Sequence, residues 1–223
     1  MGVIFYLNIC VMLKKKFVSL FFLLSAFLTQ AQKFNAHILG GVATSQVSGD
    51  QLSGFNKAGF IGGAGVSTVL SKKVDLGFEI YYIQKGSKKQ SDPEKGDYEY
   101  YRLRLNYIEV PLLLEYHISD KLGFEIGPSV AVLISYSEEN QDGEISSLLY
   151  YDQPQFSKYD ISICGGLAYH FNNHWGLYFR GLQSLVPIRE NSSGARAQLN
   201  SGQYNSVLSF ALYYQFGKKK KNE

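Results

Sequence analysis

The chain has 223 residues, enough for one domain with a sizeable core, and no shift in composition marks a second domain. Tyrosine (17), phenylalanine (15) and glycine (22) are abundant while proline (5) is scarce, which favours strands over helices. The formal charge is only +3, and three lysines lie in the leader and four in the tail, so no basic surface is expected for nucleic acid.

The first 31 residues read as an export signal. Lys14, Lys15 and Lys16 precede an apolar run from Phe17 to Leu28, and Thr29-Gln30-Ala31 places small residues where a signal peptidase reads them. Cleavage is expected after Ala31, with Gln32 as the first mature residue. The apolar run falls well short of the roughly 20 residues that a membrane-crossing helix needs. Met12 stands directly before Leu13 and the lysines, so translation starting at Met1 or at Met12 yields the same mature chain. Losing the three leader lysines leaves the basic residues equal in number to the 19 acidic ones. Cys10 leaves with the leader, so Cys164 has no partner for an intramolecular disulfide.

Eight strands follow in chain order: Asn35–Ser45, Lys57–Leu70, Val74–Tyr82, Tyr98–Ile118, Leu122–Tyr136, Tyr159–Phe171, Trp175–Val186 and Val207–Phe216. The clearest is Leu122–Tyr136. There Phe124, Ile126, Val130, Val132 and Ile134 alternate with Gly123, Glu125, Ser129, Ala131 and Leu133, a period that only a strand resolves into two faces. Several strands reach the roughly 9 to 11 residues that cross a bilayer at a tilt. Within Tyr98–Ile118 the apolar phase changes, from Leu103, Leu105 and Tyr107 to Val110, Leu112, Leu114 and Tyr116. That change predicts a β-bulge near Ile108.

The connections alternate in length. Short turns at Ser71–Lys73, Ser119–Lys121 and Asn172–His174 separate longer polar segments at Gln46–Asn56, Ser87–Asp97, Ser137–Ser157 and Pro187–Gly202. This is the pattern of an all-β, antiparallel up-and-down transmembrane β-barrel of about eight strands, with long loops outward and short turns in the periplasm. Tyr81, Tyr82, Tyr98, Tyr100, Tyr101, Tyr107, Tyr150 and Tyr151 fall at strand ends or in a loop, as in an aromatic girdle at the headgroups. The tail Lys218–Lys221 reads as a solvated charge run.

If the apolar sets face lipid, Asp75, Glu79, Glu125, Asp160, His170 and Arg180 face the lumen. Glu109 and Glu115 join them below the expected bulge, and Arg102 and Arg104 above it. A barrel of this size has an interior just wide enough to be filled by side chains, so these charges are expected to pair into a plug rather than to line a pore. A gated pore whose pairs exchange partners is the sharper alternative. His37, His117, His170 and His174 have no serine at a motif spacing, so no catalytic site is expected. Cys164 has no second thiol nearby, and His170 and His174 flank a turn, so neither a metal nor a cofactor site is expected.

At residue level the chain resembles the PorT-like outer-membrane β-barrel family of Gram-negative bacteria. The likeness rests on the order of Gly40-Gly41, Ser48-Gly49-Asp50, Lys57-Ala58-Gly59, Gly77-Phe78-Glu79-Ile80, Gln84-Lys85-Gly86-Ser87, Asn106 to Leu113, Gly127-Pro128 and Tyr214-Gln215-Phe216-Gly217. It implies an outer-membrane barrel in contact with lipid but no single biochemical activity. The aromatic-ended last strand resembles the signal read by outer-membrane assembly machinery. The expected role is structural or surface interaction through long outer loops, without enzyme activity. A small transporter or pore of the same fold, and a soluble periplasmic lipocalin-like carrier with its apolar face inward, are the alternatives.

Overall fold

The computed structural model describes residues 34–50, 52, 54–144, 155–190 and 202–217. The export segment, the Ile145–Tyr151 part of the third long loop and the lysine tail lie outside the described residues. Among the described residues ten strands form one antiparallel sheet. They are β1 (Phe34–Ser48), β2 (Lys57–Ser71), β3 (Val74–Lys89), β4 (Tyr101–His117), β5 (Leu122–Asn140), β6 (Gly143–Glu144), β7 (Tyr159–His170), β8 (Trp175–Ser184), β9 (Arg189–Glu190) and β10 (Gly202–Gln215). The two-residue strands β6 and β9 only extend the edges of β5 and β10. The other eight pair in chain order, and β1 closes on β10 from His37 opposite Gln215 to Ser48 opposite Tyr204. Closure leaves no unpaired edge, the requirement for a sheet immersed in lipid.

The period of two dictates what each face meets. Ile38, Val42, Phe78, Ile80, Leu112, Leu114, Ile126, Val130, Ile161, Leu167, Phe179 and Leu212 all point outward and are exposed, an apolar band far larger than a water-soluble surface carries. At the short-turn end the band meets a cluster of rings. Trp175 and Phe216 pack on Tyr214 at 5.0 and 5.2 Å between centroids, and Tyr169 packs on Phe171 at 5.4 Å. Of the tyrosines expected in an aromatic belt, Tyr81 and Tyr107 are instead fully buried inside the barrel, while Tyr82 packs on Phe60 at 5.1 Å on the outer face.

The expected bulge is displaced. β4 keeps one phase throughout, and the extra residue lies on β5, where Asn106 faces Ser135 but Tyr107 faces Leu133, leaving Ile134 unmatched. The change of apolar phase along β4 has a different cause. Near the short turns the wall is apolar outside and polar inside. Toward the long loops it inverts: Leu103, Leu105, Tyr107, Ile83, Val47 and Val207 are buried inside, while Thr44, Gln46, Gln84, Lys88 and Asn106 occupy the outer face. The strands thus leave the hydrocarbon before they end. Above that level apolar side chains turn inward and pack beside the buried polar groups of the loop end, among them Lys85, Ser87, Asp160 and Asn205.

Candidate functional site

The interior residues form three polar clusters, ordered by the positions that β3 contributes to each: Asp75 near the short turns, Glu79 two repeats of the pleat further in, and Lys85 deepest toward the loops. Alternation along β3 puts all three on the inner face, together with buried Tyr81 and Ile83.

The middle cluster centres on Arg180 of β8. Its Nη1 and Nη2 donate to Glu79 at 2.6 and 2.9 Å, and its Nε and Nη2 donate to Glu125 at 2.8 and 3.0 Å. His37 Nε2 reaches Glu79 Oε1 at 3.1 Å, and the guanidinium carbon stands 3.8 Å over the Tyr178 ring. All three charged groups are buried, so the two bidentate forks bolt β8 to β3 and β5 across the lumen. In the deeper cluster the Lys85 ammonium pairs with Glu109 at 2.9 Å and with Asp160 at 3.1 Å. Ser129 and Ser162 donate to Glu109, and the Asn205 amide donates to Asp160 at 2.9 Å.

Replacing Lys85 with methionine keeps the stem and removes the charge, stranding Glu109 and Asp160 in the dry interior. The expected loss is about 3–5 kcal/mol of unfolding free energy, measurable by urea titration of the barrel in vesicles. Adding Glu109→Gln in the same chain, which returns the cluster to its original net charge, is expected to recover part of it.

The third cluster lies at the short-turn mouth. Glu115 Oε1 is 2.6 Å from His170 Nε2 and 3.4 Å from His117 Nδ1. The outer nitrogens are held in turn, His117 Nε2 by Asp75 at 3.0 Å and His170 Nδ1 by the Tyr213 hydroxyl. Two glycines make this possible by close approach. A Cβ on Gly123 would stand 2.2 Å from Glu115 Oε1, and one on Gly176 would stand 2.2 Å from the Tyr213 oxygen. Between this cluster and the Arg180 cluster remains a cavity of about 20 Å³, room for about one water.

Of the seven residues expected in a lumen charge network, the structure brings Glu79, Glu125 and Arg180 into direct contact. It places Glu109 on Lys85 and Glu115 on the two histidines. Arg102 and Arg104 do not belong. They alternate with buried Leu103 and Leu105 and so take the outer face near the loops, Arg102 opposite Glu139 and Arg104 opposite Gly86. Their expected inward placement depends on taking the phase change for a bulge in β4, whereas β4 keeps one phase and its outer face turns polar toward the loops. Lys85, His37, His117, Tyr178 and Tyr213 were missed. Continuing the inward phase of Asp75 and Glu79 along β3 leads to Lys85, but nothing local to the sequence pairs His117 with a residue 50-odd positions away.

At the long-loop end Tyr101 donates to Glu138 at 2.6 Å, and Arg189 pairs with the same carboxylate at 3.2 Å. The adjoining β3–β4 hairpin is exposed. The Glu99 backbone N–H, and then Lys89 at 3.1 Å, hold the Asp97 carboxyl below its ordinary value of 3.8. Hydrogen bonds to Glu99 and Asp97 raise the Lys89 ammonium above 10.5. A depressed acid stabilises above its unfolded value and loses that contribution as pH falls through the folded one, whereas a raised base does so at the alkaline end. The hairpin's local order is therefore expected to stay constant across neutral pH and to loosen only below about pH 4 or above about pH 10, as read by amide exchange at Glu99.

None of the curated protein sequences compared with the chain matches it. Among solved structures it is similar to Neisserial surface protein A, at 12% identity and a TM-score of 0.51, covering 81% of this chain and 97% of that one. It is also similar to Ail, the attachment invasion locus protein of Yersinia pestis, at 11% identity and a TM-score of 0.46, covering 82% and 99%. The outer membrane protein OprG of Pseudomonas aeruginosa gives 14% identity and a TM-score of 0.39, covering 83% and 97%. At such identities the likeness is one of fold. The family model described as outer membrane protein beta-barrel domain matches residues 30–190, most of the chain. A closed antiparallel ring with an apolar outer band and that match together make the chain a member of the outer membrane protein beta-barrel domain family, located in the outer membrane and in contact with its lipid.

Proposed function

We propose that the protein is a plugged outer-membrane barrel with a structural or surface-interaction role and no enzymatic activity. The observation that supports this most is the interior: Arg180 clasping Glu79 and Glu125, Lys85 clasping Glu109 and Asp160, and the apolar side chains of Ile83, Leu103, Leu105 and Val207 buried around them. An ion crossing this lumen would have to break buried ion pairs that are packed among apolar side chains. The soluble-carrier alternative needs the apolar set inside, whereas Val130, Ile126 and Phe179 stand outside.

In this reading the short turns face the periplasm and the long loops the exterior. The leader is cleaved after Ala31, and the last strand, ending in Tyr214-Gln215-Phe216, engages the assembly machinery. The PorT-like motifs support a place in that part of the family. Contact with an outside partner falls to the loop end, where a cleft of about 410 Å³ is lined by charged and aromatic groups including Lys89, Glu99, Tyr101, Glu138 and Arg189.

Planar-bilayer recording on the refolded barrel tests the plug. The expected result is no conductance step above baseline for wild type. Reproducible steps that change with Arg180→Met would overturn the reading and favour the gated pore.

A further inference from the structure

We propose that Glu115, His117 and His170 form a binding site for a divalent transition-metal ion, of the Zn²⁺ or Cu²⁺ class, at the short-turn mouth of the barrel. The three residues present donor atoms that all lie within 4.8 Å of one another. They come from β4 and β7, which flank β5, so the site spans three neighbouring strands. Two imidazoles with one carboxylate suit borderline ions that take nitrogen and oxygen together, and three protein ligands leave a coordination position for water.

The arrangement around the donors carries the inference beyond mere clustering. A ligating histidine ordinarily presents one nitrogen to the metal and anchors the other on a carboxylate or another acceptor, which fixes its ring. Both histidines are so arranged here. His117 turns Nδ1 toward Glu115, 3.4 Å away, and gives Nε2 to Asp75 at 3.0 Å; His170 turns Nε2 toward Glu115, 2.6 Å away, and gives Nδ1 to Tyr213. The rings are 5.7 Å apart between centroids.

Room for the carboxylate between them depends on Gly123 of β5, directly opposite His117, because any side chain there would collide with the Glu115 carboxyl. The Tyr213 anchor depends in the same way on Gly176. The three ligands are each only partly buried, with side-chain exposures of 13 to 17%, so an ion can enter from the mouth without crossing the plug. Binding would clamp β4 to β7 at the end of the barrel where the turns are shortest.

The test uses the tag-free mature chain refolded in detergent and titrated with Zn²⁺ by calorimetry, with Cu²⁺ spectra recorded in parallel. One equivalent is expected, with Cu²⁺ superhyperfine splitting from two nitrogens. His117→Ala and His170→Ala are each expected to lower the affinity more than tenfold, and Asp75→Asn, which removes only an anchor, by about 10- to 100-fold. Gly123→Ala is expected to weaken binding without removing a ligand, and His174→Ala to leave it unchanged. A heat-modifiable band on gels identifies the variants that still fold, and the Cu²⁺ spectrum of wild type reports the ligands even where a variant does not. Absence of stoichiometric binding by wild type would overturn the proposal. So would binding that survives both histidine substitutions, or that disappears with His174→Ala.

Discussion

Substituting Arg180 with alanine is expected to produce the largest loss of stability of any single change in the lumen. Among the described residues the guanidinium is the one cation that bonds both Glu79 and Glu125, through four donor contacts of 2.6 to 3.0 Å, and all three side chains are buried. Removing it strands two carboxylates, with only His37 left on Glu79. Breaking a buried pair costs about 3–5 kcal/mol when one acid is left, and here two are left, so the expected loss lies at or above the top of that range. The stacked Tyr178 ring loses its cation as well.

Urea unfolding in lipid vesicles measures this, and the informative companion is the triple variant Glu79→Gln, Glu125→Gln, Arg180→Met. Replacing a whole buried network by neutral groups is often close to neutral, so the triple variant is expected to be more stable than Arg180→Ala alone. A loss below about 1 kcal/mol for Arg180→Ala would mean that water reaches these carboxylates and that the interior is not a dry plug.

Val130→Arg is expected to have the second largest effect, for the opposite reason. Val130 stands on the outer face of β5, between Pro128 and Val132, within the run of outward apolar residues from Phe124 to Ile134. An arginine near the middle of the bilayer costs about 2–4 kcal/mol, falling to about 0–1 near the interfaces. The contrast is Gln46→Arg on the outer face of β1, where the polar outer residues place the wall beyond the hydrocarbon. The two substitutions are expected to differ by at least about 2 kcal/mol in vesicle unfolding. Equal costs at the two positions would show that the polarity inversion of the wall does not mark the membrane boundary.

That inversion also explains how far the sequence could be read. Strand and short-turn positions were legible because a period of two over runs such as Phe124–Ile134 is a local signal, and because Lys72-Lys73 or Asn172-Asn173 interrupt it where the chain must turn. Strand lengths were not: β3 runs on to Lys89 instead of Tyr82, and β10 begins at Gly202 instead of Val207. The inward assignment of Glu79, Glu125 and Arg180 followed from the same alternation. It failed at Arg102 and Arg104 because the reading assumed that apolar residues face lipid along the full length of every strand. Where the wall stands clear of the bilayer, that rule reverses, and Leu103 and Leu105 turn inward to pack against Ile83 and Val207.

The sequence by itself determined the strands, the closed antiparallel architecture they imply and the lipid-facing set, since each depends on spacing along one segment and on the solvent it meets. Only the tertiary structure decided which charges meet. Ring closure and register bring His170 beside Glu115, 55 positions earlier, and Arg180 onto Glu79, 101 positions earlier. Register across strands is a sum over all the side chains of two neighbours, and whether two inward groups touch across a narrow lumen depends further on what the wall beneath them leaves open, as Gly123 does for Glu115. No window of sequence contains either quantity.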